Sequence, residues 1–430
     1  MPVLSPFRAL AWRPDLRLRL DRLIAPPYDV LDEAGRAAIE ALHPRNIVHL
    51  DLPRAAAGGD PYAASRDRLR DWIREGTLVR DGVPALYACE QTFRGPGGAE
   101  MVRRGFFARL RLEDFGSGAV LPHERTLDRP REDRRRLLAA TRTHLSPVFF
   151  LHPDPGGTVV RMVGEACRSA SWAEARLEDF GLRVFRIEAA DRVEAILRCL
   201  RGGWVLIADG HHRYESALAY RDERRAAGRQ DSEHLLGYFC SLEDPGLRIR
   251  PIHRLVRGIQ GFDAARFLRA LGALFELEPL ATAADLRDRI GRWRGRAGVF
   301  GMAIRGMGGF HLASWKEGAG LDDAGLQVVP GPLRRLDVIL LHQIVFERIL
   351  GIGPEAQARQ DHLDYIKDDE EWFARAAQPG TDVAILMNPT PIDQVIEVTR
   401  AGLRLPQKST LFHPKIPTGV VLEPLDGSDD

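Results

Sequence analysis

Trp204-Val205-Leu206-Ile207-Ala208-Asp209-Gly210-His211-His212-Arg213-Tyr214 is the stretch on which the reading of this chain turns. Its first four residues form a short apolar run of the kind that makes a buried strand. From Tyr214 to Ala227, Ala217, Leu218 and Ala219 sit among charges at helical spacing. A strand, a glycine turn and a helix start therefore bring one carboxylate, two imidazoles and a guanidinium to one point. The first N–H groups of a helix lack internal partners and carry partial positive charge, so an anion fits there. Arg213 adds a forked donor suited to phosphate, and His211 and His212 donate hydrogen bonds or shuttle protons. Two competing readings stay open. One is structural, with Asp209 capping the helix and Arg213 in a surface ion pair. The other is a metal site, which needs further ligands from far away in sequence.

A chain of 430 residues exceeds one ordinary core, so two domains are expected. A soft boundary near Gly258 to Phe262 separates an α+β domain over 1–258, carrying the phosphate turn, from a second over 259–425. Residues 426–430 read as a disordered tail. Net charge is +1, which argues against a general nucleic-acid binder or a membrane-surface protein. No run approaches the roughly 20 apolar residues that span a bilayer, and the first residues carry no signal core. The scattered Cys89, Cys167, Cys199 and Cys240 form no CxxC pair, as expected of a reduced, cytoplasmic enzyme. Of the 61 cations only Lys316, Lys367, Lys408 and Lys415 are lysine. A lysine that survives such a bias points to chemistry that needs a compact, flexible ammonium.

Along the chain, Pro6 to Leu10 reads as an edge strand, and Pro26-Pro27 holds the backbone rigid before Tyr28-Asp29. Helices are expected over Glu33 to Leu42 and Tyr62 to Glu75, and a hairpin over Ala85 to Phe93 and Met101 to Leu112. The charge run from Arg129 to Arg136 reads as a solvated helix face. The stripe Leu336, Ile339, Leu340, Ile344 and Ile349 predicts a helix from Leu333 to Ile349. Strands and helices alternate without βαβ regularity, so the fold class is α+β, with mixed sheets and packed helices.

Three further constellations carry chemistry. His123-Glu124-x-Thr126 sets a carboxylate beside an imidazole, fitting a general base or a magnesium ligand, with a helix cap or surface salt bridge as the alternative. Lys408-Ser409-Thr410, bracketed by Pro406 and Pro414, forms a polar loop able to hold phosphate or carboxylate, although it lacks the glycines of a P-loop. Asp29 either faces a pocket or caps the following helix. No GxGxxG, kinase catalytic loop or GxSxG elbow is present.

Pro6-Phe7-Arg8-Ala9, Ala25 to Val30, His123-Glu124-x-Thr126, Ala208 to Arg213 and Lys408-Ser409-Thr410-x-Phe412-x-Pro414-Lys415 occur in this order in a large prokaryotic family, domain of unknown function ten-fifteen. The chain resembles that family over essentially its whole length. Within it, Asp209-Gly210-His211-His212-Arg213 is similar to the phosphate-contacting motif of archaeal free-serine kinases, relatives of the partition-protein and sulfiredoxin fold. The resemblance implies such a core element around Ala208 to Arg213. It also implies phosphoryl transfer from ATP, ADP or pyrophosphate, with Mg2+, to a small hydroxyl compound such as free L-serine.

The expected roles follow from residue type. Gly210, His211, His212 and Arg213 hold the phosphates; His211 also counts among the catalytic candidates. Glu124 or Asp209 accepts the hydroxyl proton or binds magnesium. Asp29, His123, Thr126, Lys408, Ser409 and Thr410 shape the substrate side. Glu124, Arg213 and Lys408 are expected in one cleft. The alternatives are a nucleotide-gated, partition-protein-like regulator that associates with DNA, and a metal-dependent hydrolase using His123, Glu124, His211 and His212.

Overall fold

A computed structural model describes the chain except residues 56, 96–97, 127, 294, 296, 317–324 and 426–430. The expected disordered tail thus lies outside the described residues, as does part of the hairpin turn at 96–97. The chain is α+β and divides into two compact units. The first comprises Met1–Pro122, Thr126–Arg248 and the segment from Pro414 onward; the second comprises His123–Arg125 and Ile249–His413.

Among the described residues, the first unit is built on a nine-stranded mixed sheet. The strand Val205–Asp209 lies between Val120–Pro122, its parallel neighbour, and Val148–His152, its antiparallel one. His234–Ser241 follows, parallel to Val148–His152, and then the antiparallel pair Glu100–Arg111 and Leu86–Arg94. That pair is the expected hairpin, with Tyr87 opposite Phe107. Val205, Leu206 and Ile207 are fully buried, as a strand flanked on both sides demands. The register slips between Ile207 and Asp209, a bulge that ends regular pairing beside the carboxylate.

The helix His211–Ala226 that follows is docked by Tyr214. Its ring stacks on Phe115 at 5.3 Å and meets Phe150 edge-on at 6.1 Å, while its hydroxyl donates to Glu113 O at 2.6 Å. Phe150, Phe239 and Phe106 continue the stack beneath it, at 5.1 and 5.5 Å. Losing one such buried ring costs about 3–5 kcal/mol, so the start of this helix is firmly placed.

The helix Asp128–Thr141 packs on the same element, with Ser216 donating to Arg131 O at 2.7 Å. Here one expectation is corrected. Arg134 is not on a solvated face but buried, pairing with Asp51 at 2.9 Å, because a helix packed between neighbours must turn one of its charges inward.

The second unit carries a six-stranded antiparallel sheet: Phe275–Leu280, Phe310–Trp315, Val299–Ile304, Thr381–Met387, His253–Arg257 and Leu363–Ile366. The helix expected from Leu333 begins only at Asp337–Leu340 and continues as a wider π-wound segment, Leu341–Ile349. The five-residue step from Ile344 to Ile349 suits that wider turn better than an α-helix. No helix among the described residues is long and apolar enough to cross a membrane. The four cysteines are unpaired to one another, and Cys199 alone is exposed.

Burial pulls His144 in the first unit down to about 4 and His342 in the second to about 3. In the unfolded chain an imidazole titrates near ~6.5. Between these values the unfolded chain holds protons that the folded one excludes, so stability falls as pH drops from about 6.5 toward 4. Urea midpoints measured at pH 7 and pH 4.5 should show this loss, and His144→Gln should flatten it. Equal midpoints at both pH values in the parent would contradict the assignment.

Candidate functional site

In the first unit the residue at the cap position of the helix His211–Ala226 is Gly210, not Asp209. Gly210 sits at φ +94°, a region costly for any residue with a side chain. An added Cβ would also stand 2.9 Å from the Arg213 guanidinium. Both facts require glycine at this turn. With the turn so tight, Arg213 folds back one helical turn and donates to Asp209 Oδ2 at 2.5 Å. Its other arm donates to Ser146 Oγ and to the carbonyl of Pro147. The capping alternative for Asp209 therefore gives way to an inward ion pair.

Asp209 Oδ1 faces a second cation. The Lys415 ammonium lies 2.8 Å from it and 2.5 Å from Asp29 Oδ2. Burial by itself lowers a lysine, but Asp209 and Asp29 outweigh it and hold Lys415 well above the usual lysine range. Carboxylate, ammonium, carboxylate and guanidinium thus form one ladder: Asp29, Lys415, Asp209, Arg213. Asp29 is spent here and not on capping, since the helix Glu33–Leu42 is capped by Asp32, which accepts from Gly35 N at 2.7 Å.

A second charged pair backs the ladder. The Arg134 guanidinium stands 4.3 Å over the Tyr28 ring and reaches Asp51 at 2.9 Å. Burial pushes the Tyr28 hydroxyl up to about 12, against the pull of Arg213 and Arg134, so it stays a neutral donor. Burial likewise raises Asp51, with Arg134 and Arg213 opposing. Asp51, Arg134, Ser146, Arg213 and Ser216 line a small cavity of about 40 Å³, room for one water. Arg213 Nε is buried there without a hydrogen-bond partner among the described residues.

His211 is buried at the first helical position and His212 is half-buried beside it. Thr126 donates to Glu215 Oε2, which ties that residue to the same helix.

The remaining candidates gather in the second unit. Glu124 Oε1 accepts from Ser409 N at 3.2 Å and from Thr410 N at 3.4 Å. His123 Nε2 meets Thr410 Oγ1 at 2.7 Å, and the His123 carbonyl accepts from Leu405 N at 2.7 Å. Ser409 Oγ donates to Pro406 O at 2.6 Å, Thr390 Oγ1 to Ser409 O at 2.9 Å, and Arg254 Nη2 to Lys408 O at 2.9 Å. The His-Glu pair and the Lys-Ser-Thr loop therefore define one clamped structure, with Lys408 at φ +59°. Burial draws Arg254 down to about 10, with Tyr365 and Glu124 opposing.

The site residues fall into two groups, one in each unit. Lys415, Arg134, Asp51, Ser146 and Tyr28 were not among the residues assigned from sequence. Lys415 carried a signal in its rarity in an arginine-rich chain, and Tyr28 in its place after the double proline. Among the described residues no group of three or more His, Cys, Asp or Glu side chains stands together as a metal cage.

The family described as "Protein of unknown function (DUF1015)" matches residues 4–339. Comparison with curated proteins gives no match. Among solved structures the chain is similar to a conserved hypothetical protein from Pyrococcus furiosus, at 14% identity and TM-score 0.36, covering 74% of this chain and 95% of that one. It is similar to a free serine kinase variant in complex with ADP, at 12% identity and TM-score 0.36, covering 71% and 87%. SbnI with a C-terminal truncation, from Staphylococcus aureus, gives 11% identity and TM-score 0.37, covering 75% and 90%.

Two substitutions test the ladder. Gly210→Ala should cost about 1–3 kcal/mol and shift Arg213 off Asp209. Lys415→Met leaves two part-solvated carboxylates facing each other and should cost about 1–3 kcal/mol. Adding Asp209→Asn to Lys415→Met should recover part of that loss, as a double-mutant cycle in thermal melts would reveal. Strictly additive losses would mean that the two groups do not interact.

Proposed function

We propose, from the premise that the chain belongs to the DUF1015 family, that it is a small-molecule phosphotransferase. It moves a phosphoryl group from a nucleotide or pyrophosphate to a hydroxyl compound. Free L-serine is the leading acceptor, because Asp209 to Arg213 is similar to the phosphate motif of free-serine kinases. The observation that carries the reading is the charge ladder closing on the first turn of the helix His211–Ala226, where Gly210 leaves no side chain in the way.

Phosphoryl transfer asks for positioning and charge neutralisation more than for covalent help. The backbone N–H groups of the first turn, with His211 and His212, are the donors assigned to phosphate oxygens. Arg213 supplies positive charge at the same turn while its terminal nitrogens, tied to Asp209, Ser146 and Pro147, keep the turn rigid. In the transfer, the acceptor oxygen bonds to phosphorus as the bridging P–O bond of the donor breaks. The hydroxyl proton passes to a carboxylate, Asp209 or Glu124, and the leaving phosphate carries the electron pair of the broken bond. Magnesium belongs to this reading: Glu124 or Asp209 would be its carboxylate, and it would neutralise charge on the donor's phosphates. Lys408, Ser409, Thr410, His123, Thr126 and Asp29 are assigned to the substrate side. A cytoplasmic setting accords with this use of small metabolites.

The test is a panel of ATP, ADP and pyrophosphate against hydroxyl acceptors that include L-serine, read by phosphorus NMR. Arg213→Ala and His211→Ala should each lower turnover by about 10²–10³. Asp209→Asn and Glu124→Gln separate the two proton acceptors, since only the true one should lose turnover to that extent. Variants of the turn that phosphorylate as fast as the parent would sink the reading.

A further inference from the structure

Tyr28 follows Pro26-Pro27 at the start of the short turn Tyr28–Val30, which Val30 N closes by donating to Pro27 O at 3.1 Å. The two prolines fix the backbone on the N-terminal side. Just before them, Ala25 exchanges both backbone hydrogen bonds with Thr418, at 2.8 and 3.2 Å, on the segment that also brings Lys415. Thr418 Oγ1 then donates to Ser146 Oγ at 3.1 Å, and the same Ser146 oxygen accepts from Arg213. Asp29, the residue after Tyr28, holds the Lys415 ammonium. One hydrogen-bonded frame therefore carries Tyr28, Lys415 and Arg213 together.

The ring is held as firmly as the backbone. The Arg134 guanidinium stands 4.3 Å over it and is itself fixed by Asp51 at 2.9 Å and by Asp133 at 2.6 Å. Such a contact places the ring through its face and leaves its hydroxyl unengaged. Of the charges around that hydroxyl Arg213 acts most strongly, followed by Arg134, Asp29 and Asp209.

A tyrosine packed among polar groups ordinarily finds a partner for its O–H. That of Tyr28 meets none among the described residues. Two carboxylates stand near, but Asp29 is turned to Lys415, and Asp209 to Lys415 and Arg213. The residue is half-buried, and its oxygen is not sealed from solvent. Phenylalanine would offer Arg134 the same face, so packing does not call for the oxygen.

We infer that the Tyr28 hydroxyl is a ligand contact of the phosphate turn, donating its hydrogen bond to an oxygen of the bound phosphate group. The inference rests on the phosphotransferase reading, which supplies the phosphate, and adds to it a donor that neither the turn nor the charge ladder contains. A neutral phenol suits the place. It donates to an anion without adding charge to a ladder in which two carboxylates already face two cations.

Calorimetric titration of the full chain with ATP, ADP and inorganic pyrophosphate, each with magnesium, tests it alongside thermal melts. Tyr28→Phe keeps the ring over Arg134 and removes only the oxygen. It should melt with the parent, since no protein partner is lost. It should bind whichever of these ligands the parent takes about 10–100-fold more weakly. A hydroxyl with a purely structural role gives the reverse, a lower melting temperature with affinity kept, and that result overturns the inference. So does Tyr28→Phe binding as tightly as the parent while Arg213→Ala binds weakly, an outcome that leaves the phosphate turn itself standing. If Arg213→Ala binds as tightly as the parent, or the parent takes none of the three ligands, the phosphotransferase reading fails and the inference falls with it.

Discussion

An ammonium between two carboxylates governs the first unit's site. Asp29 and Asp209 both lie within hydrogen-bond reach of Lys415, and without that cation two like charges would face each other. Burial and attraction pull on Lys415 in opposite directions, and attraction wins. Because Asp209 spends its second oxygen on Arg213, the same carboxylate also holds the guanidinium against the start of the helix. One lysine therefore sets the position of a strand end, a helix start and the proline-braced turn at Tyr28.

Arginine does the organising elsewhere, in keeping with a chain that writes most of its cations that way. Arg134 ties the helix Asp128–Thr141 to Asp51 and covers Tyr28. Arg254 holds the backbone of Lys408 from beneath. The planar guanidinium suits this work because it hydrogen-bonds in a fixed fork and lies flat on rings. Lysine stands at Lys415, where one compact ammonium reaches a carboxylate on either side.

Much of this was legible in the chain. The strand Val205–Asp209, the glycine turn and the helix after it could be read because their signals are local: an unbroken apolar run, then a change of period. The hairpin Leu86–Arg94 and Glu100–Arg111 was legible for the same reason. Partners distant in sequence were not. Asp29 and Lys415 stand 386 positions apart, and no spacing rule joins them. Asp29 read equally well as a helix cap, yet Asp32, three residues on, takes that role. Arg134 could not be singled out within its charge run because only Asp51, on another helix, distinguishes it from its neighbours. Glu124 looked like a general base by residue type; the structure adds that it binds two backbone amides of the loop at Ser409 and Thr410.

The first unit is discontinuous: the chain leaves it after Arg248, forms the second unit, and returns at Pro414. Lys415 arrives with that return, and Arg103 anchors the arriving segment by donating to the Pro414 carbonyl from inside the sheet. On a translating ribosome Asp29, Asp209 and Arg213 therefore emerge long before the ammonium that reconciles them. Until that segment is made, Asp29 and Asp209 lack the ammonium that lies between them. The charge ladder is thus completed only once the segment from Pro414 has been made, and a chain stopped short of it has the turn at Gly210 without Lys415.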